Sequence, residues 1–174
     1  MHDYKVTYEP VVPVGELISE KDWAFIGQIV KRNISDGIQA QVDVTGAAYP
    51  ALRPNTIASK EAAGNPEPGK RLIATGNLLN SAKYQTIANG VEIRLGPQRA
   101  QIGRYHQEGI KPHTITPKKA ERLAFTTTEG PVFAGRVQHP GTEPVPFFGI
   151  SQKCAQDILA FVDSLTQKWL SGRR

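Results

Sequence analysis

Histidines, a cysteine and carboxylates are the side chains here that could do chemistry, and their spacing limits what that chemistry could be. The four histidines, His2, His106, His113 and His139, are never closer than seven residues, and none has a cysteine at ligand spacing. A tetrahedral zinc site draws on Cys and His a few positions apart, and neither an HExxH nor a CxxC pattern occurs. His106, beside Tyr105 and Glu108, has the surroundings of a proton shuttle, but the same residue also reads as a partly exposed hydrogen-bonding group. There is no GxSxG elbow to present a nucleophile. Pro68-Gly69-Lys70-Arg71 is basic and lies in a loop, yet no GxxxxGK[ST] or GxGxxG pattern supplies the strand-to-helix turn that cradles phosphate. The 16 carboxylates are scattered, so no facing acid pair of the glycosidase kind stands out. The residues point away from an enzyme and imply no catalytic residue, metal or cofactor.

Composition narrows the partners. At 174 residues, 39% hydrophobic and 21% charged, the chain is a soluble globular protein long enough to bury a sizeable core, and aromatics at 7% make that core mainly aliphatic. A single cysteine, Cys154, excludes an intrachain disulfide and reads as a small buried hydrophobe in a reducing compartment. No apolar run approaches the ~20 residues that span a bilayer, and the start MHDYKVTYEP lacks a signal-peptide core, so a cytoplasmic product without membrane contact is expected. The net charge of +5 is unevenly placed. Residues 1–50 carry 4 Lys/Arg against 7 Asp/Glu, residues 51–125 carry 12 against 5, and residues 126–174 carry 5 against 4. A basic middle segment suits DNA or an acidic protein surface, with Arg94, Arg99, Arg104, Lys111, Lys118 and Lys119 as candidate contacts. A basic nucleic-acid-binding module is the rival reading, although no recognisable nucleic-acid motif is present.

The elements follow from periodicity. Asp3–Val14 alternates loosely through Tyr4, Val6 and Tyr8 and contains Pro10 and Pro13, so it reads as an edge strand or an extended arm. Ser19 is an N-cap with Asp22 three positions on, and Ile18 is placed to staple against Trp23. Trp23, Ile26, Val30 and Ile34 form one apolar stripe on a helix of about four turns, with Gly37 as its stop. Gln39–Val44 alternates like a short strand, Asn55 is placed to cap a helix over Thr56–Ala63, and Thr75 to start another carrying Leu78 and Leu79. Asn89-Gly90 predicts a hairpin between Tyr84–Ala88 and Val91–Leu95 with both turn residues at positive φ. A second hairpin pairs Arg122–Thr127 with Val132–Val137, and His113–Thr116 can add a strand. Ser151 caps a closing helix whose stripe is Ala155, Ile158, Val162, Leu165 and Trp169. Core packing is expected of both tryptophans, with a subunit contact as the alternative.

These elements predict an α+β fold: an antiparallel sheet of about four or five strands packed by a long N-terminal and a long C-terminal helix plus short helices. The expected divisions are an extended arm over residues 1–18, one α+β domain over 19–170 and a basic tail over 171–174.

The clearest local feature is stiffness near the end of the chain. Pro140, Pro144 and Pro146 fix φ across seven residues, Gly141 permits an unusual turn, and Phe147 and Phe148 follow. A stiff loop presenting aromatics loses little entropy on docking, which suits a protein contact. Equally, the phenylalanines can tuck under the last helix and set its entry angle. On the contact reading, Phe148→Ala leaves the subunit folded and blocks assembly.

Several pieces in order resemble one family. They are Pro50 to Lys60, Leu72 to Leu78, Gly90 to Gly96, Tyr105-His-Gln-Glu-Gly109, His113 to Phe125, and His139-Pro-Gly-Thr142 through Phe148. Together they resemble the virion-morphogenesis and tail-completion proteins of tailed bacteriophages, over roughly Ile26 to Trp169. The arm before Ser19 departs from the usual shorter start. The resemblance implies a non-catalytic virion protein, assembled in the host cytoplasm and placed at the tail end or neck. It implies self-association into a ring, six-fold in some members, and contact with the tail terminator or tail tube and with head-closure or connector proteins. Tyr4, Tyr8 and the Pro140–Phe148 loop are then candidate subunit contacts, and the basic segment would face channel DNA or an acidic partner ring.

Overall fold

A long amphipathic helix laid across a three-stranded sheet organises the molecule. The computed structural model describes residues 5–8 along the backbone and residues 17–171 in full. In chain order the elements are β1 (Lys5–Tyr8), α1 (Glu20–Ala40), α2 (Pro54–Ala62), a 3-10 turn (Leu79–Ser81), β2 (Ala82–Ile87), β3 (Gly90–Leu95), α3 (Pro97–Glu108), β4 (His113–Ile115), β5 (Leu123–Thr127), β6 (Gly130–Ala134), β7 (Val137–His139) and α4 (Gln152–Ser171).

The start of α1 is dictated locally. The Asp22 amide donates to Ser19 Oγ at 3.4 Å while Asp22 Oδ2 accepts the Ser19 amide at 2.9 Å, closing both halves of a capping box. Such a cap stabilises a helix by about 1 kcal/mol. Ile18 and Trp23 are both buried, and Ile26, Val30, Ile34 and Ile38 continue the stripe into the core. Each of these side chains contributes roughly 1.5–3 kcal/mol of burial. Gly37 does not stop the helix. It continues to Ala40, and Gln41 takes the left-handed cap at φ 57°, its Nε2 donating to the carbonyls of Ile38 and Arg71 at 2.7 and 3.0 Å. The side-chain hydrogen bonds compensate a residue that has no intrinsic preference for that conformation.

β3 is the central strand, antiparallel to β1 and to β2. Val91 and Ile93 face the α1 stripe, and Leu95 meets α3 at Gly103. The β2–β3 turn differs from the expected Asn89-Gly90 pair. Only Asn89 has positive φ, at 61°, and Gly90 already pairs with Ile87, so the loop residues are Ala88 and Asn89. Lys5–Tyr8 completes the sheet as an edge strand, with Tyr8 opposite Val91. Tyr4 and the rest of the expected arm before residue 17 lie outside the described residues, as do residues 172–174 of the basic tail.

The fold class is α+β as expected, but one sheet of four or five strands is not what forms. The strands divide into β1-β3-β2, β4-β7 and β5-β6. The second hairpin turns at Thr128-Glu129 and takes Gly130 and Pro131 into β6, so β7 is released to pair with β4. The β5–β6 ribbon leans on α2 instead of joining the core sheet. Ser59 Oγ donates to the Thr126 carbonyl at 3.0 Å, and Asn55 Oδ1 accepts the Thr128 amide at 3.2 Å. Asn55 therefore serves the hairpin, while α2 starts at Pro54 with Arg53 as its cap residue. Residues 39–44 form no strand. Val42 makes one bridge to Ala48 around a turn in which Asp43 Oδ1 accepts from Thr45 Oγ1 and from the amides of Thr45 and Ala47. The helix expected from Thr75 is only the 3-10 turn at Leu79.

α4 is capped as expected, the Cys154 amide donating to Ser151 Oγ at 3.1 Å. Cys154 and Ile158 are buried, and the Phe161 ring lies 4.6 Å from that of Phe25. Burial pushes the Cys154 thiol up to about 11, so it is an inert hydrophobe at neutral pH. The two tryptophans part company: Trp23 is core, whereas Trp169 is 37% exposed.

Candidate functional site

The Pro140–Phe148 loop is held against the end of α3 by main-chain and amide hydrogen bonds. The Val145 amide donates to the His106 carbonyl at 2.7 Å. Gln107 brackets Phe148, its Oε1 accepting the Phe148 amide at 3.0 Å and its Nε2 donating to the Phe148 carbonyl at 3.2 Å. Ile110 and Thr142 exchange both backbone hydrogen bonds, at 3.0 and 2.9 Å. Two glycines make that approach feasible. Gly109 sits at φ 75° and ψ 178°, a region open essentially to glycine alone. Gly141 sits at φ 82°, where an added Cβ would lie 2.3 Å from the Ile110 carbonyl oxygen.

The stiff loop is thus present, but its aromatics point inward. Phe147 and Phe148 are each 3% exposed, packed edge to face at 6.1 Å, and belong to the main core. This corrects the expectation that they are offered to a neighbour. Proline stiffening here seats a hydrophobic plug beneath α4, because burying two phenylalanines outweighs leaving them in water. Pro140 and Pro144 remain exposed and Pro146 is half-buried.

Two histidines close the loop's other end. The rings of His113 and His139 stack across β4 and β7 with centroids 5.0 Å apart. His139 Nδ1 accepts the Gly141 amide at 3.0 Å, and His113 Nδ1 donates to the Lys111 carbonyl at 3.0 Å. A protonated His139 could not accept that bond. Burial holds His139 below its ordinary value, with His113 and Arg53 adding to the effect, and burial followed by Arg71 does the same to His106. Both therefore bind protons more readily in the unfolded chain. Stability is fully present above the ordinary histidine value of 6.5 and is lost as pH falls through the lowered folded values. Urea midpoints are expected to drop between pH 7.5 and pH 5.5, and His106→Gln should flatten that dependence. An unchanged slope in the variant would show that His106 binds protons equally in the folded and the unfolded chain.

The six basic residues predicted as contacts do not share one cavity. A cavity of about 280 Å³ between α2, residues 70–78 and α3 is lined by Lys60, Lys70, Arg71, Arg99 and His106. Three of its cations hold the fold: Lys60 donates to the carbonyls of Glu67 and Lys70, Arg71 to those of Pro50 and Ala51, and Lys70 pairs with Glu67 at 2.6 Å. Of the six predicted contacts, Arg99 alone lines this cavity. Arg94 is paired with buried Glu92 on β3, and Arg104 with Glu108 at 2.9 Å on α3. Lys111, Lys118 and Lys119 are exposed in the segments flanking β4. Among the described residues no group of three or more His, Cys, Asp or Glu is placed to hold a metal ion, and no helix is long and apolar enough to cross a membrane.

Exposed apolar side chains are what the sequence reading missed. Phe133 and Leu159 are each 65% exposed and Leu170 is 51% exposed. The signal for Phe133 was its place in a two-residue alternation opposite Ala124, and for Leu159 its position one residue off the α4 stripe.

The model of the phage virion morphogenesis family matches residues 22–164. The chain belongs to this family. Its role lies in building a phage virion. Among curated proteins and solved structures nothing matches. The matched span runs from the first turn of α1 into α4, so the family region contains β2, β3, the paired backbones of Ile110 and Thr142, and the phenylalanine plug, while β1 precedes it. Tyr105–Gly109, which helped to carry the resemblance, is architecture: His106, Gln107 and Gly109 hold the loop, and Glu108 pairs with Arg104.

Proposed function

We propose that the chain is a non-catalytic adaptor that self-associates into a ring at the tail end or neck of the phage and helps to join tail to head. The observation that supports this is the family match over residues 22–164, combined with motif residues that hold shape instead of assembling reactive groups. Its partners on this reading are further copies of itself, a six-fold ring being the natural closure, the tail terminator or tail tube, and head-closure or connector proteins. Ring closure needs two different patches on each subunit that meet head to tail.

Negative-stain imaging of the purified protein tests the reading, with rings as the expected result. In a phage lacking the gene, full heads and separate tails should accumulate. Joined particles in that deletion would overturn it. A second role, contact with channel DNA, rests on the 12 Lys/Arg in residues 51–125. Replacing Arg94, Arg99 and Arg104 together by Glu should then lower phage titre, and salt-dependent DNA binding should weaken steeply. Unchanged titre would remove the basic segment from the account.

A further inference from the structure

We infer that the β5–β6 hairpin of one copy docks in a groove beside the α1–α4 junction of the next, with Phe133 as the anchor. This contact rests on the ring reading above and specifies its interface.

The hairpin is a two-stranded ribbon, and such ribbons are marginal without something packed on them. One face leans on α2 through the Ser59 and Asn55 hydrogen bonds. Strand alternation puts Ala124, Pro131 and Phe133 together on one face, and Phe133 is 65% exposed. The ribbon's stem is basic, with Lys118, Lys119, Arg122 and Arg136 against Glu121 and Glu129.

The receiving groove has a volume of about 690 Å³ and lies between α1, the 42–46 turn and the start of α4. Its apolar lining comes from Ile29, Val42, Val44 and Phe147. The rim carries three carboxylates, Asp36, Asp43 and Asp157, against two cations, Arg32 and Lys153. Asp36 and Asp157 are each paired along their own helix, while Thr45 leads the hydrogen bonds that hold Asp43 ionised. An aromatic anchor on a basic stem thus meets an apolar groove with an acidic balance at its edge, which fixes both partner and orientation. The occupant is a second copy because the chain carries both halves, and within one subunit the hairpin is occupied with α2. Two unlike patches on one chain give the head-to-tail contact that closes a ring.

The test uses the full chain in sedimentation velocity from about 10 nM to 100 μM, because interfaces of ordinary size range from micromolar affinity downward. Phe133→Asp and, in the groove, Ala40→Arg should each weaken self-association by about thirtyfold or more while leaving thermal melting unchanged. Both positions are exposed, so folding is not at stake. Mixed together, the two variants should form a one-to-one pair, since one supplies an intact groove and the other an intact hairpin. Rings that persist in Phe133→Asp would overturn this contact and leave ring formation standing. Wild-type chain that stays monomeric over the whole range would overturn both, and would assign these patches to other virion proteins.

Discussion

Phe148→Ala is expected to destabilise the folded subunit by about 3–5 kcal/mol, as emptying a buried aromatic site does. The ring is 3% exposed and lies among Ile26, Val30, Val91, Ile93 and Ile158, where α1, β3 and α4 converge. Removing it leaves a void between elements that cannot all move in, because the Gln107 bracket still fixes the Phe148 backbone. With total stabilities of 5–15 kcal/mol common for domains of this size, the variant should lose much of its soluble yield. Urea unfolding of variant and wild type measures this directly. The exposed Pro144→Ala, by contrast, should stay within about 0.5 kcal/mol. A Phe148→Ala subunit as stable as wild type would restore the idea that this side chain belongs to an interface and not to the core.

Gly141→Ala should cost about 2–3 kcal/mol, read as a fall of roughly 5–10 °C in melting temperature. Two penalties combine. The residue sits at φ 82°, and its new Cβ would lie 2.3 Å from the Ile110 carbonyl oxygen. That oxygen cannot retreat without breaking its own hydrogen bond from the Thr142 amide. Gly64→Ala provides the comparison: its φ is +70° but nothing lies within 4 Å, so only the conformational penalty of about 1–2 kcal/mol remains. Equal losses at the two sites would mean that the latch between residues 110 and 142 yields easily.

Much of the helical architecture was legible because it is encoded within a few residues. The Ser19 capping box, the Trp23–Ile34 stripe and the Ser151 cap each depend on contacts three or four positions apart, and all appear as read. The β2–β3 pairing was similarly local, although Gly90 joined the strand instead of the turn. What failed did so where distant partners decide. Gly37 looked like a stop, but the Gln41 side chain, anchored to Ile38 and Arg71, carries the cap four residues later. Asn55 looked like a cap, but Thr128 claims it. The strands were mostly placed, yet α2 draws β5–β6 aside, and no pattern within a strand reports which sheet it will join.

The candidate site divides along the same line. Absence of metal-ligand spacing and of nucleophile motifs, the asymmetric charge and the stiff proline loop are properties of residue order, and the sequence alone determined them, along with the family they resemble. Only the tertiary structure decided which way Phe147 and Phe148 face, that Lys60 and Arg71 are tied to backbone carbonyls, and that Phe133 is left uncovered. The physical reason is that burial is a property of pairs of surfaces. A chain writes its own periodicity and turn preferences locally, but which face is dry depends on what is laid across it from far along the chain.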